Sequence, residues 1–131
     1  MNTKKFDRDD NGVKVRGAAQ IKVFRDGSQE RDFISRTVYM FTDALRIDGD
    51  EPELVRLLYP NAPQDGDYEW SSPAGFSVFY TDPTGVQYST REGRITLKVS
   101  ENSLKQDGSF DVVFDTKPQL RVTGLFNAYA E

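Results

Sequence analysis

From Val13 the chain alternates. Val13, Val15, Ala19, Ile21 and Val23 fall in one phase of a two-residue period, and Lys14, Arg16, Gln20 and Lys22 in the other. That rhythm marks a half-buried strand, because successive side chains on an extended backbone point to opposite faces. Gly17 inside the run predicts a bend or bulge. Asp26-Gly27-Ser28 is a turn signal, and a second extended run follows over about 32–47. Its centre, Thr37-Val38-Tyr39-Met40-Phe41-Thr42, is β-branched and aromatic on both faces and is expected to be covered on both. The two runs are expected to pair as one long hairpin.

Over 48–65 the alternation stops. Asp50 and Glu53 have capping-box spacing, Pro52 falls in the first turn, and Leu54, Leu57 and Leu58 share one helical face. Pro60 and Pro63 end the pattern. The spacing predicts one short helix near 51–59. Beyond it, Tyr68 and Trp70 sit in a short strand and the rest reads as a meander. Phe76, Val78 and Tyr80 alternate, then Val86, Tyr88 and Thr90, then Ile95, Leu97 and Val99. Phe110, Val112 and Phe114 follow, and last Leu120, Val122, Gly124 and Phe126. Asp82-Pro83-Thr84-Gly85, Glu92-Gly93, a loop over 101–108 ending in Asp107-Gly108, and Lys117-Pro118 punctuate the strands. About eight strands with short links predict an all-β antiparallel sandwich or partly open barrel. Residues 1–12 are polar and are expected to form a flexible segment ahead of a single β domain over 13–131.

Composition narrows the chemistry. The 131 residues contain no cysteine and no histidine. Thiolate nucleophiles, disulfides, thiolate metal sites and imidazole acid–base catalysis are therefore excluded, and no enzyme of the common nucleophilic or metal classes is expected. Two carboxylates suffice for glycoside hydrolysis, but no pair among the 21 acids stands in an apolar setting that would separate their roles. Ser100 and Ser103 near Lys98 and Lys105 offer a serine–lysine pair without an oxyanion hole. None of the ten glycines sits in a phosphate-cradling turn. Lys14, Arg16 and Lys22 read as a solvated strand face, so neither nucleic acid nor membrane is an expected partner. No secretory signal opens the chain as given, and the lack of cysteine slightly favours the cytoplasm.

Charge singles out one stretch. Within 48–69, Asp48, Asp50, Glu51, Glu53, Asp65, Asp67 and Glu69 stand against one base, Arg56, while the whole chain has a net charge of only −4. Such a cluster can steer a basic protein partner. It can also cap a helix, or hold a weak divalent cation between Asp48, Asp50 and Asp65. Asp7, Asp9 and Asn11 ahead of Gly12 match the first half of a calcium loop, but the position for the bidentate acid falls on Ala18. Calcium is thus the one cofactor the residues suggest, and none is required. Tyr68 and Trp70, with Tyr80 and Tyr88 nearby in sequence, could form a sugar-stacking platform or simply pack.

The resulting expectation is a non-catalytic protein-binding or structural interaction module. Its surface would carry Asp48, Asp50, Glu51, Glu53, Asp65, Asp67 and Glu69 as rim charges around Leu58, Tyr59 and Trp70. The alternative is a barrel that carries a small hydrophobic ligand, which requires an interior cavity lined by aromatic side chains.

Overall fold

The computed structural model describes residues 13–130. Asp7, Asp9 and Asn11 lie outside them. The described chain is all-β, with eleven antiparallel strands and no helix. No helix in it is long and apolar enough to cross a membrane.

The alternating segment at the start forms β1 (Val13–Arg25), which joins two curved sheets. Its first residues pair with β3 (Thr37–Phe41). The neighbours then run β4 (Ala44–Asp48), β5 (Leu54–Leu58), β7 (Ser77–Thr81) and β8 (Gln87–Thr90). The rest of β1 pairs on one side with β2 (Ser28–Ser35) and on the other with β11 (Leu120–Tyr129). Past β11 come β10 (Lys105–Phe114), β9 (Glu92–Ser100) and β6 (Gly66–Ser71). Together the strands form a curled, half-closed barrel whose inner faces meet in one continuous apolar cluster. Ile21, Val38, Leu45, Ile47, Val55, Leu57, Phe76, Val78, Ile95, Val112, Leu120 and Val122 within it are fully buried. Cross-strand packing is close: an added Cβ at Gly108 would lie 2.6 Å from the Phe126 ring, and one at Gly124 2.4 Å from the Phe110 ring.

The helix expected near 51–59 is a strand instead. Val55 and Leu57 are buried while Leu54, Arg56 and Leu58 are half-buried, a two-residue period with neither face fully exposed. β4 and β7 flank β5 and satisfy its backbone on both sides, which a helix of one or two turns could not match. The Asp50–Glu53 spacing closes a tight turn: the Glu53 N–H donates to the Asp50 carbonyl at 2.8 Å, and the Gly49 N–H to the Glu53 carbonyl at 2.9 Å.

Connectivity also departs from a simple meander. The run over 32–47 breaks at Arg36 and again at Thr42-Asp43 into β2, β3 and β4, so β1 pairs first with β2 and then with β3. Glu92-Gly93 does not reverse the chain. β8 pairs with β7, and β9 crosses to the other sheet between β6 and β10. Asp107-Gly108 lies inside β10, and the reversal sits earlier, where Glu101, Asn102 and Ser103 adopt left-handed φ of 57, 60 and 68°.

The Asp82 turn forms as the sequence predicts. Asp82 Oδ1 accepts from the Thr84 N–H (2.9 Å), the Thr84 hydroxyl (2.6 Å) and the Val86 N–H (3.0 Å), and Oδ2 accepts from the Tyr88 hydroxyl at 3.2 Å. Burial alone would push this carboxyl up. The hydrogen bonds from Thr84, Val86 and Tyr88 outweigh it and hold it below its ordinary value. Since the folded value is depressed, the stabilisation is complete above the ordinary carboxylate range and is lost as pH falls through the lowered one. Asp82→Ala should therefore cost about 1–2 kcal/mol at neutral pH. Urea melts should show that gap narrowing below about pH 4.

Candidate interaction surface

The acidic residues that are contiguous in sequence are distributed over two sheets. Asp48 ends β4, where its carboxylate pairs with the Arg46 guanidinium through bonds of 2.8 and 3.1 Å. Its backbone carbonyl accepts a short hydrogen bond from the Ser35 hydroxyl on β2. Asp50 and Glu51 are exposed in the following turn. Glu53 is not a rim charge: its side chain is only 2 % exposed. It accepts from Arg31 Nη2 at 2.7 Å and from the Tyr80 hydroxyl at 2.5 Å, linking β2 to β7 through the turn before β5.

Asp65 is committed elsewhere. Its two carboxylate oxygens accept the backbone N–H groups of Ser103 (2.7 Å) and Asn102 (3.1 Å), inside the left-handed turn between β9 and β10. Successive N–H groups in such a turn form an anion-binding concavity, and here a side chain fills it. The cation site shared by Asp48, Asp50 and Asp65 is therefore not assembled. Among the described residues no group of three or more acids could hold a metal. Asp67 and Glu69 project outward from β6, which among the described residues pairs only with β9 and so forms an edge, where exposed charges discourage edge-to-edge association. Glu69 lies 3.5 Å from Arg94 in a pair exposed on both sides.

The apolar members of the expected surface close the barrel. Tyr59 is buried and Leu58 half-buried at the far end of β5. Trp70 stacks on Tyr59 at 5.4 Å between centroids and on Tyr68 at 5.2 Å, and both Tyr68 and Trp70 pack against the core. The Tyr68 hydroxyl donates to the Gln64 carbonyl at 2.7 Å and accepts the Gln64 N–H at 2.9 Å, pinning the loop before β6. Tyr80 and Tyr88 form a cross-strand stack at 6.3 Å in the other sheet, so the four aromatics do not make one platform. The Tyr59 hydroxyl, which burial pushes up and keeps protonated, donates to Gln106 Oε1 at 2.9 Å across the core. Tyr59→Phe should destabilise by about 1–2 kcal/mol by leaving the buried Gln106 oxygen unpaired. Adding Gln106→Met should recover part of that loss in urea melts.

The two most exposed large apolar side chains among the described residues lie on the outer face of the sheet β6-β9-β10-β11-β1-β2. Ile34 on β2 is 72 % exposed and Leu125 on β11 is 61 % exposed. Both stand opposite Gln20 of β1 in register, one on each side. They border a shallow groove of about 390 Å³ floored by Ala18 and Gly108. Smaller outward side chains, Ser109 and Thr123, continue the depression toward β9. Ile34 also lines a second cleft, of about 210 Å³, shared with Arg36, Asp48 and Asp50. Ile34 thus joins the sheet face to the part of the acidic segment that remains at the surface. Sequence reasoning missed this face, although a signal existed. Leu120, Val122, Gly124, Phe126 and Ala128 point inward, so Leu125 is an apolar residue in the outward phase.

Comparison with protein-family models, with curated proteins and with solved structures returns no match to this chain.

Proposed function

We propose that the chain is a non-catalytic protein-interaction module that meets its partner through the outer sheet face around Ile34 and Leu125, with Asp48, Asp50 and Glu51 as an acidic rim. The observation that carries this reading is the pair of large apolar side chains left 72 and 61 % exposed in one register row, while the inward residues are sealed. A partner with an apolar knob and a basic border fits such a surface. The apolar contact would supply affinity, and the acids, Asp50 and Glu51 above all because Asp48 is already paired with Arg46, would set the rate of encounter. The absence of histidine and cysteine supports a role without catalysis. The continuous side-chain cluster between the sheets favours this reading over a carrier, which needs an open interior.

The test introduces a photo-crosslinking amino acid at Ile34 and, as a control, at Ser89 on β8. The expected result is a discrete adduct from position 34 alone, lost in Leu125→Asp and formed more slowly in the double variant Asp50→Lys, Glu51→Lys. Equal adducts at both positions, or an adduct indifferent to Leu125→Asp, would overturn the reading. A small hydrophobic molecule retained in native mass spectra of protein purified from its source would favour the carrier.

A further inference from the structure

The outer sheet face carries an ordered row of charges, two of which also have partners within the chain: Arg94 lies 3.5 Å from Glu69, and Asp111 holds Arg121. One register row crosses five strands in the order Arg94 (β9), Asp111 (β10), Thr123 (β11), Lys22 (β1) and Asp32 (β2). The signs read plus, minus, neutral, plus, minus. Read from the other end with every sign inverted, the row is unchanged. The next row on the same face is Glu69 (β6), Thr96, Ser109, Leu125, Gln20 and Ile34, charged only at its β6 end.

An antisymmetric row is what a surface needs to bind a copy of itself about a twofold axis. We propose that this face is a homodimer interface, with the axis running along β11 over Thr123 and Leu125. This rests on the reading of the chain as an interaction module and names a second copy of the chain as the occupant. Rotation about that axis keeps each row in place and exchanges β10 with β1 and β9 with β2. Arg94 then faces Asp32 of the other copy, Asp111 faces Lys22, and Leu125 meets Leu125. Ile34 covers Thr96, where the side chain is short. Two sheets packed face to face with strands nearly aligned is an ordinary arrangement.

Charge selects this axis over the alternative. A twofold running across the strands, along the Leu125 row, would exchange the rows on either side of it. It would bring Arg94 over Lys98 and Asp111 over Asp107, like signs in both cases. Arg121, which lies near the β11 axis, is held by two bonds of 2.7 and 2.8 Å to Asp111 and lies 5.3 Å above the Phe24 ring, so its charge is compensated within its own chain. Five strands and two to three rows bury roughly 1,000 Å² in total, at the lower end for a specific interface. The dimer is accordingly expected to be reversible and sensitive to salt.

The experiment is sedimentation of the full chain over about 1 µM to 1 mM at low and high salt. Self-association is expected. It should weaken about tenfold or more in Asp32→Arg and in Arg94→Glu separately, and return toward wild type in the double variant, where the pair is exchanged. Because the chain has no cysteine, Leu125→Cys should form a covalent dimer under mild oxidation, and Ser89→Cys should not. A chain monomeric throughout, or a dimer indifferent to both charge reversals and to Leu125→Asp, overturns the proposal. A monomer that still gives a specific adduct with another protein at position 34 sinks the dimer alone. A monomer with no such adduct sinks the interaction reading with it.

Discussion

Arg31→Ala is expected to destabilise the protein more than Glu53→Ala, although the two side chains form one ion pair. The asymmetry follows from burial: the Glu53 side chain is 2 % exposed and that of Arg31 is 38 % exposed. Removing the arginine strands a desolvated carboxylate with a single neutral donor, the Tyr80 hydroxyl at 2.5 Å. A loss of about 3 kcal/mol is the expected scale for breaking a buried pair from that side. Removing the glutamate lets the guanidinium rehydrate through its exposed end. What remains is a small void and an unpaired Tyr80 hydroxyl, which burial and the neighbouring Glu53 keep protonated in the native protein. About 2 kcal/mol is expected there. Replacing both residues by apolar ones, Arg31→Met with Glu53→Leu, should return stability toward wild type. Urea denaturation of the four proteins at neutral pH measures all three statements, and a larger loss from Glu53→Ala would contradict the argument.

Gly93→Ala should be at least as damaging, at about 3 kcal/mol or more. This residue begins the crossing of β9 from one sheet to the other, with φ at +133°. A Cβ there would sit 2.2 Å from the Asp111 carbonyl oxygen and 2.7 Å from the Val112 Cα, both backbone atoms of a central strand that cannot turn aside. The same crossing is tied by the Ser72 N–H, which donates to the Gly93 carbonyl at 3.0 Å. Loss of the folded fraction in Gly93→Ala, followed by circular dichroism and urea melts, is the expected result. A variant as stable as wild type would mean that β9 and β10 separate more easily than their register implies.

The fold class is legible in the order of residues alone. Period-two alternation in β1, β7, β9, β10 and β11 follows from pleated backbone geometry and needs no tertiary information. The turns at Asp26-Gly27 and Asp82–Gly85 were equally legible, because they depend on local backbone preference and a nearby carboxylate. The all-apolar face of Leu54, Leu57 and Leu58 was ambiguous for a physical reason. A strand half-buried on both faces presents apolar residues at helical spacing too, and the neighbours β4 and β7 decided which form could satisfy its backbone. Tertiary structure alone dispersed the acids, burying Glu53 under Arg31 and Tyr80 and tying Asp65 into a turn 37 residues away. It also aligned Arg94, Asp111, Thr123, Lys22 and Asp32 in one row. Hairpin turns set the register within β9-β10-β11 and within β1-β2, but the pairing of β11 with β1 joins the two ends of the described chain, and no local pattern encodes it.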